Sequence, residues 1–262
     1  MLKSIAMATK GVRYRIDALT YRSAERQLLD ASLRDTCRGE PMLIVGNGPS
    51  LNATPLDSFR DIKSIGMNKI DLIYSRTSWR PSLVLCTNNL VARQNQDQWI
   101  SAGIPVYLSW KCRHFVQRKL RGEFSYFLSR DSSEFSHNIS EGVGTAGTVT
   151  YTALQFAFFM GADPVIIVGV DHNFSGVQDG RENTIEKRTG IDRDHFDPQY
   201  FASGQMWGVP NLPLSERGYA AARLAYEADG RRVLDATIGG KLEVFEKISI
   251  EEAITLSRTS QL

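Results

Sequence analysis

Cysteine is scarce in this chain: Cys37, Cys86 and Cys112 are the only three in 262 residues, and none has CxxC spacing. An odd, scattered set excludes a disulfide framework and a zinc ribbon, and fits a reducing compartment. Histidine is nearly as rare, with four. No run approaches the roughly 18 apolar residues that a membrane span needs. The first 29 residues also hold no long apolar stretch with a cleavage site, so a secretory leader is not expected. Neither sign of charge dominates: 31 Lys and Arg against 29 Asp and Glu leave +2, too little for wholesale nucleic-acid binding. GxGxxG and GxxxxGK[ST] are missing too, which removes the dinucleotide fingerprint and the P-loop. What remains is an ordinary globular composition, 42% hydrophobic and 23% charged, long enough for one large α/β domain with a small appendage.

The most informative stretch is MLIVGNGPSL at 42–51, an apolar run that breaks into Gly-Asn-Gly-Pro-Ser. Such a run reads as a buried strand, and the Gly/Pro cluster as a tight turn into a helix. Gly46 and Gly48 would let the backbone turn and approach a ligand without a Cβ in the way. Ser50 and Asn52 would cap the helix, whose free N–H groups attract phosphate.

Further strand-like runs follow at 62–67, 82–86, 104–108, 165–168 and 232–234, separated by helical or loop segments. That alternation builds a parallel sheet. Residues 147–160 are apolar nearly all round and read as a buried helix; 214–228 read as another. Residues at about 174–211 are polar and aperiodic, the pattern of a lid or acceptor-binding loop. The expected fold class is therefore α/β, a mostly parallel, doubly wound (Rossmann-like) sheet. An N-terminal helical appendage covers 1–40, and a nucleotide-binding transferase domain covers 41–262 and carries the lid-like insertion.

Several strand ends finish in small or amide residues: Gly46-Asn47-Gly48, Gly66-Met67-Asn68-Lys69, Thr87-Asn88-Asn89, Gly169 through Asn173, and Ala236 through Lys241. In a parallel sheet these ends converge on one edge, where ligands bind. Asparagine suits that edge because it donates and accepts at once.

The ordered set GNGPSL, GMNK, a Gly/Thr-rich turn into an apolar helix, and IIVGVDHNF resembles bacterial sialyltransferases of the Campylobacter type. Together with HFDPQYF and NLPLSERGYAAA it is more similar still to the archaeal 6-hydroxymethylpterin diphosphokinase-like family, which includes motility accessory factors that glycosylate flagellin. The resemblance spans about residues 41–248. It implies a transferase with a nucleotide-bearing donor, CMP-linked and metal-free in the sialyltransferases. By that match Asn47 and Gly48 would meet the donor phosphate or ribose, and Asn68 and Asn88 the ribose and sugar. The turn with Thr145, Gly147 and Thr148 would lie near the donor, with Asp171 beside the cytidine or the reacting centre. Gly46, Ser50, Lys69 and Asn173 complete the expected donor-binding set. The chain departs from the sialyltransferases at two places. His172, Asn173 and Phe174 stand where tyrosines steady the leaving phosphate, and Pro213 stands near the place of the histidine base.

A base must then come from His114, His137, His172 or His195. Imidazole suits proton removal near neutral pH. His195 is the expected base, and His172 a ligand of the leaving phosphate or donor. Asp192, Asp194, His195 and Asp197 read either as a metal cluster or, with more weight, as solvated charge on a loop. Lys69, Arg181 or Lys187 would balance phosphate or carboxylate charge. The basic stretch Lys111, Arg113, Arg118, Lys119 and Arg121 reads as a solvated helix face, or as a site for an anionic glycan or lipid head group. Arg13, Arg15, Arg22 and Arg26 read as the solvated face of a packing helix, or as a helix on an anionic membrane surface.

The expected function is a cytoplasmic glycosyltransferase of bacterial surface-glycan assembly, peripheral at the inner membrane if the basic helix binds there. It would move a sialic-acid-like or Kdo-like sugar from a CMP-activated donor to a saccharide or glycolipid acceptor, with no cofactor and no nucleic acid. Two alternatives stand beside it: an ATP-dependent 6-hydroxymethylpterin diphosphokinase, which would need Mg²⁺, and a non-catalytic nucleotide-binding partner.

Overall fold

The computed structural model describes residues 16–17, 19–174, 184–201 and 203–258. Its strands are β1 (Met42–Val45), β2 (Lys63–Met67), β3 (Leu83–Cys86), β4 (Val106–Ser109), β5 (Ser125–Phe127), β6 (Ser129–Arg130), β7 (Val143–Gly144), β8 (Val165–Val168), β9 (Ile185–Lys187), β10 (Met206–Gly208), β11 (Val233–Asp235) and β12 (Glu246–Lys247). Its helices are α1 (Ser23–Leu33), α2 (Asn89–Ala102), α3 (Val149–Phe159), α4 (Leu212–Ala228) and α5 (Ile250–Arg258).

Every position of β1, β3, β4 and β8 is buried. That is why they read as unbroken apolar runs: a parallel sheet is covered on both faces. Eight strands pair in the order β12-β11-β8-β1-β2-β3-β4-β5, all parallel. The chain winds outward from β1 to β5 and then returns to β8 on the other side of β1, so the winding reverses between those two strands. The fold class is the expected α/β one. In this sheet two strands were not expected, β5 and β12, at its two edges; β6, β7, β9 and β10 of the two small sheets were not expected either. β5 and β12 are two or three residues long, and both residues of β12 are exposed, so neither makes an apolar run.

α3 lies inside the molecule, buried from Thr150 to Phe159. Its Gln155 is fully buried and fully paired. The side-chain amide donates to the Gly144 and Tyr151 carbonyls, and its oxygen accepts the Ser136 and Gly144 N–H groups. A buried amide is tolerated only when its polar atoms are satisfied in this way.

The described part of residues 1–40 packs into the same core. Leu29, Leu33 and Cys37 are buried, and Tyr21 donates its hydroxyl to the Tyr126 carbonyl at 3.1 Å. Arg22 and Arg26 are exposed, whereas Arg13 and Arg15 lie outside the described residues. Among the described residues no helix is long and apolar enough to cross a membrane. The basic stretch is not a helix face. It forms two 3-10 turns, Trp110–His114 and Arg118–Glu123, and Arg113 is committed to Asp17 at 3.0 Å and to the Trp110 ring at 4.1 Å.

The described part of the insertion has a core of its own. β9 and β10 pair antiparallel, and Phe196, Tyr200, Phe201 and Trp207 are buried. It is fastened to the loop after β1: the Phe196 N–H donates to the Asn47 carbonyl, and the Asn52 amide donates to the Phe196 carbonyl.

Candidate active site

A cleft of about 430 Å³ opens at the carboxyl edge of the sheet. Its floor is the loops after β1, β2, β3 and β8; its walls are the N-terminal ends of α3 and α4 and the insertion. Ligands of open α/β sheets bind at this edge, where the winding reverses. Of the residues expected from sequence, Gly46, Asn47, Gly48, Asn68, Asn88, Gly147, Thr148, Asp171, His172, Asn173 and His195 line the cleft. Ser50, Lys69 and Thr145 do not. Sequence reasoning missed the far wall, Tyr200, Phe201, Trp207 and Val209 with Ser215 and Tyr219. The clustering of aromatics inside an otherwise polar segment was the available signal.

The Gly-Asn-Gly turn lines the cleft and is also packed tightly against the loop after β8. A Cβ on Gly46 would lie closer than 3.0 Å to the Gly169 carbonyl, and one on Gly48 would meet the Asp171 carboxylate equally closely. These glycines make room for the neighbouring loop. The Gly48 N–H donates to the Gly169 carbonyl at 2.8 Å, which locks the two loops together. Ser50 is not a cap either. Asp171 accepts the Ser50 N–H at 3.0 Å and the Ser50 hydroxyl at 2.7 Å, so a carboxylate of the protein already sits at the start of the short Pro49–Ala53 turn. The start of this turn is therefore already occupied by an anion of the protein itself.

Three other helix starts face the cleft. Asn88 caps α2 by accepting the Leu90 N–H at 2.9 Å, Thr148 caps α3, and Asn211 caps α4. The caps take most of the first-turn N–H groups: Asn88 also accepts the Val91 N–H, and at α4 Pro213 has none to give, so little beyond the first N–H of each helix is left for an anion. Asn88 thus has its oxygen engaged and its amide nitrogen left for a ligand. Asn47 and Asn68 differ: their buried side-chain oxygens have no hydrogen-bond partner among the described residues. Asn47 donates its amide to the Met67 carbonyl at 3.1 Å, which leaves the oxygen to accept. Two unpaired acceptors at the ends of neighbouring strands are costly unless water, or a ligand that reaches them, supplies donors.

Lys69 points away from the cleft. It is buried under the insertion and donates to the Tyr200 carbonyl at 2.8 Å. Burial lowers its pKa, against the charges of Asp71 and Asp192. It anchors the insertion and cannot balance donor charge there. Arg181 lies outside the described residues, and no Lys or Arg among the described residues lines the cleft.

Two members of the acidic cluster, Asp192 and Asp194, are not solvated, whereas Asp197 is partly exposed. Asp192 and Asp194 are buried, and Arg188 pairs with both, with its guanidinium 4.1 Å from the Trp207 ring centre. Among the described residues no group of three or more His, Cys, Asp or Glu could hold a metal ion. Asp192 binds Nδ1 of His195 at 2.9 Å and also accepts the Asp194 and Phe201 N–H groups. The imidazole stacks on the Tyr200 ring at 4.0 Å with 3° between planes. A carboxylate on Nδ1 fixes the tautomer that leaves Nε2 as the basic nitrogen.

Burial by itself would raise the Asp192 carboxyl, but His195, Arg188 and the Asp194 N–H outweigh it and hold the group well below the usual carboxylate range. A carboxylate depressed on folding stabilises the protein fully above its unfolded pKa of about 3.9 and loses that contribution as pH falls through the folded value. Asp192→Asn should therefore cost about 3 kcal/mol at neutral pH. The gap to the unmodified protein should narrow below about pH 4. Thermal melts taken across the acid range check both the size and the sign.

His172 forms a second pair, with Nε2 at 2.9 Å from Glu216 of α4, and its ring meets Tyr219 edge-on. Its backbone is left-handed at φ 52°, as is that of Asn68. Strained positions of this kind are kept where surrounding structure enforces them, often at functional sites.

No family profile and no curated protein matches this chain. Among solved structures, the MAf glycosyltransferase from Magnetospirillum magneticum AMB-1 is similar in fold, with a TM-score of 0.52 and 17% identity. The match covers 87% of this chain but 38% of the other, so this chain corresponds to well under half of that protein. The likeness establishes the fold and lends nothing to a pterin diphosphokinase.

Proposed function

We propose that this chain is a glycosyltransferase that moves a sialic-acid-like or Kdo-like sugar from a CMP-activated donor to a saccharide or glycolipid hydroxyl in bacterial surface-glycan assembly. One observation carries the reading: His195, oriented by the buried Asp192, shares a cleft with the unpaired acceptor oxygens of Asn47 and Asn68. A ribose diol or a cytosine amine supplies the donors those oxygens lack. The phosphate then faces the starts of α2 and α3, and the aromatic wall of the insertion takes the acceptor. Glycosyl transfer is also the activity named for the protein of similar fold.

In the reaction the acceptor O–H loses its proton to Nε2 of His195 as its oxygen bonds to the anomeric carbon. The bond from that carbon to the phosphate oxygen breaks, its electron pair stays with the phosphate, and CMP leaves. Asp192 steadies the imidazolium that forms. Asp171 is a positioning residue in this scheme, because it holds the Gly48–Ser50 turn. Thermal shifts with CMP, CDP, UDP, GDP, ADP and ATP, each with and without Mg²⁺, test the donor. CMP should stabilise the protein without metal, and CMP release from a CMP-linked keto-sugar should require acceptor. Stabilisation only by ATP or ADP with Mg²⁺ would overturn the reading in favour of pyrophosphoryl transfer.

A further inference from the structure

A donor of this kind brings a phosphate and a carboxylate, yet the described cleft has no Lys or Arg on its surface. Two of its side chains can become cations, His195 and His172. His195 as the base must be neutral to act. His172 is free of that demand, lines the cleft, and has a side chain only 7% exposed. Its Nε2 meets Glu216, a carboxylate that is itself 55% exposed and reaches in from α4. The groups around the ring are few. Glu216 and Tyr219 face it from α4, and Asp171 precedes it with its carboxylate held by Ser50. Lys241 gives its backbone N–H to the Asp171 carbonyl, and Asp194 and His195 line the same cleft.

We propose that the His172–Glu216 pair is a proton-gated clamp for the donor phosphate, with Glu216 as the positioning residue and Nδ1 of the protonated ring donating to the phosphate. This pair then supplies the cation for phosphate among the described residues of the cleft, and the affinity follows the protonation of His172. Released CMP, more negative than the diester it came from, is held by the same cation and let go as the proton leaves. The inference rests on the CMP-donor reading.

The probe is cytidine 5′-(methyl phosphate), whose single phosphate charge does not titrate near neutrality, with cytidine as the uncharged control. Calorimetry on the full chain should show the diester binding about tenfold more tightly at pH 6 than at pH 8, the scale of one charge-assisted hydrogen bond. Cytidine should bind equally at both. His172→Asn keeps a residue that tolerates the left-handed backbone and should abolish the pH dependence. Glu216→Gln should reduce it, and His195→Gln should leave it intact. NMR of the unmodified protein supplies a reading free of substitutions: adding diester near pH 7 should move the His172 ring nitrogens to the cationic pattern. Diester affinity that ignores pH, or a pH dependence that survives in His172→Asn, overturns the clamp and leaves the CMP reading standing. Failure of both ligands to bind overturns the CMP reading and the clamp with it.

Discussion

His195→Asn should lower CMP release in the presence of acceptor by roughly 10²–10⁴-fold, the usual worth of a positioned general base. The loss should fall on kcat, with donor KM little changed, because Asn47, Asn68 and the helix starts proposed to hold the donor are untouched. Asp192→Asn should lose activity in the same direction but less. Asparagine in place of the carboxylate no longer steadies the imidazolium and can hold the wrong tautomer. That variant must be compared at a temperature well below its own melt, given its cost to the fold. A thermal shift with CMP that is the same in His195→Asn and in the unmodified protein makes the comparison clean. If CMP still binds and turnover is unchanged, the base lies elsewhere.

A stability loss as large as that of Asp192→Asn should come from Gly46→Ala, although alanine is only one methyl larger. The added Cβ would run into the Gly169 carbonyl, backbone against backbone, and neither chain can step aside without breaking β1–β8 pairing. A loss of about 3 kcal/mol is expected. In a chain this size that lowers the melting temperature by about 6–12 °C. Gly48→Ala should cost less, because its obstacle is a side chain, Asp171, which can rotate at the expense of its bonds to Ser50. Gly122 has nothing within 4 Å of its missing Cβ and a backbone outside the left-handed region, so Gly122→Ala should be close to neutral. Calorimetric melts of the three variants separate a packing requirement from a merely flexible turn.

The central strands were legible because a strand buried on both faces must be apolar throughout. Those at 42–45, 63–67 and 165–168 sit within a residue or so of the expected runs. α3 was legible for the same reason. Edge strands β5 and β12 were not, since two or three residues are too few to carry a periodicity. Within the site, the amide-bearing strand ends converge as a parallel sheet requires, which brings Asn47, Asn68 and Asn88 to one cleft. The roles of charged residues were harder to read. Lys69 looked like a phosphate ligand and is a buried anchor; Asp192 and Asp194 looked like solvated loop charge and are a buried ion cluster with Arg188. The formal charge of a residue is fixed by its type, but its partner is fixed by what folds against it.

The sequence by itself determined the α/β class, the edge on which ligands would gather and the amide-rich chemistry of that edge. Periodicity and residue type are local properties, and hydrophobic burial acts on them directly. Only the tertiary structure decided that Gly46 and Gly48 serve loop packing, that Asp171 is occupied by Ser50, and that Asp192 orients His195 while Glu216 meets His172 across 44 positions. Hydrogen bonds and ion pairs form between groups a few ångströms apart in space, and their separation along the chain carries no trace of them.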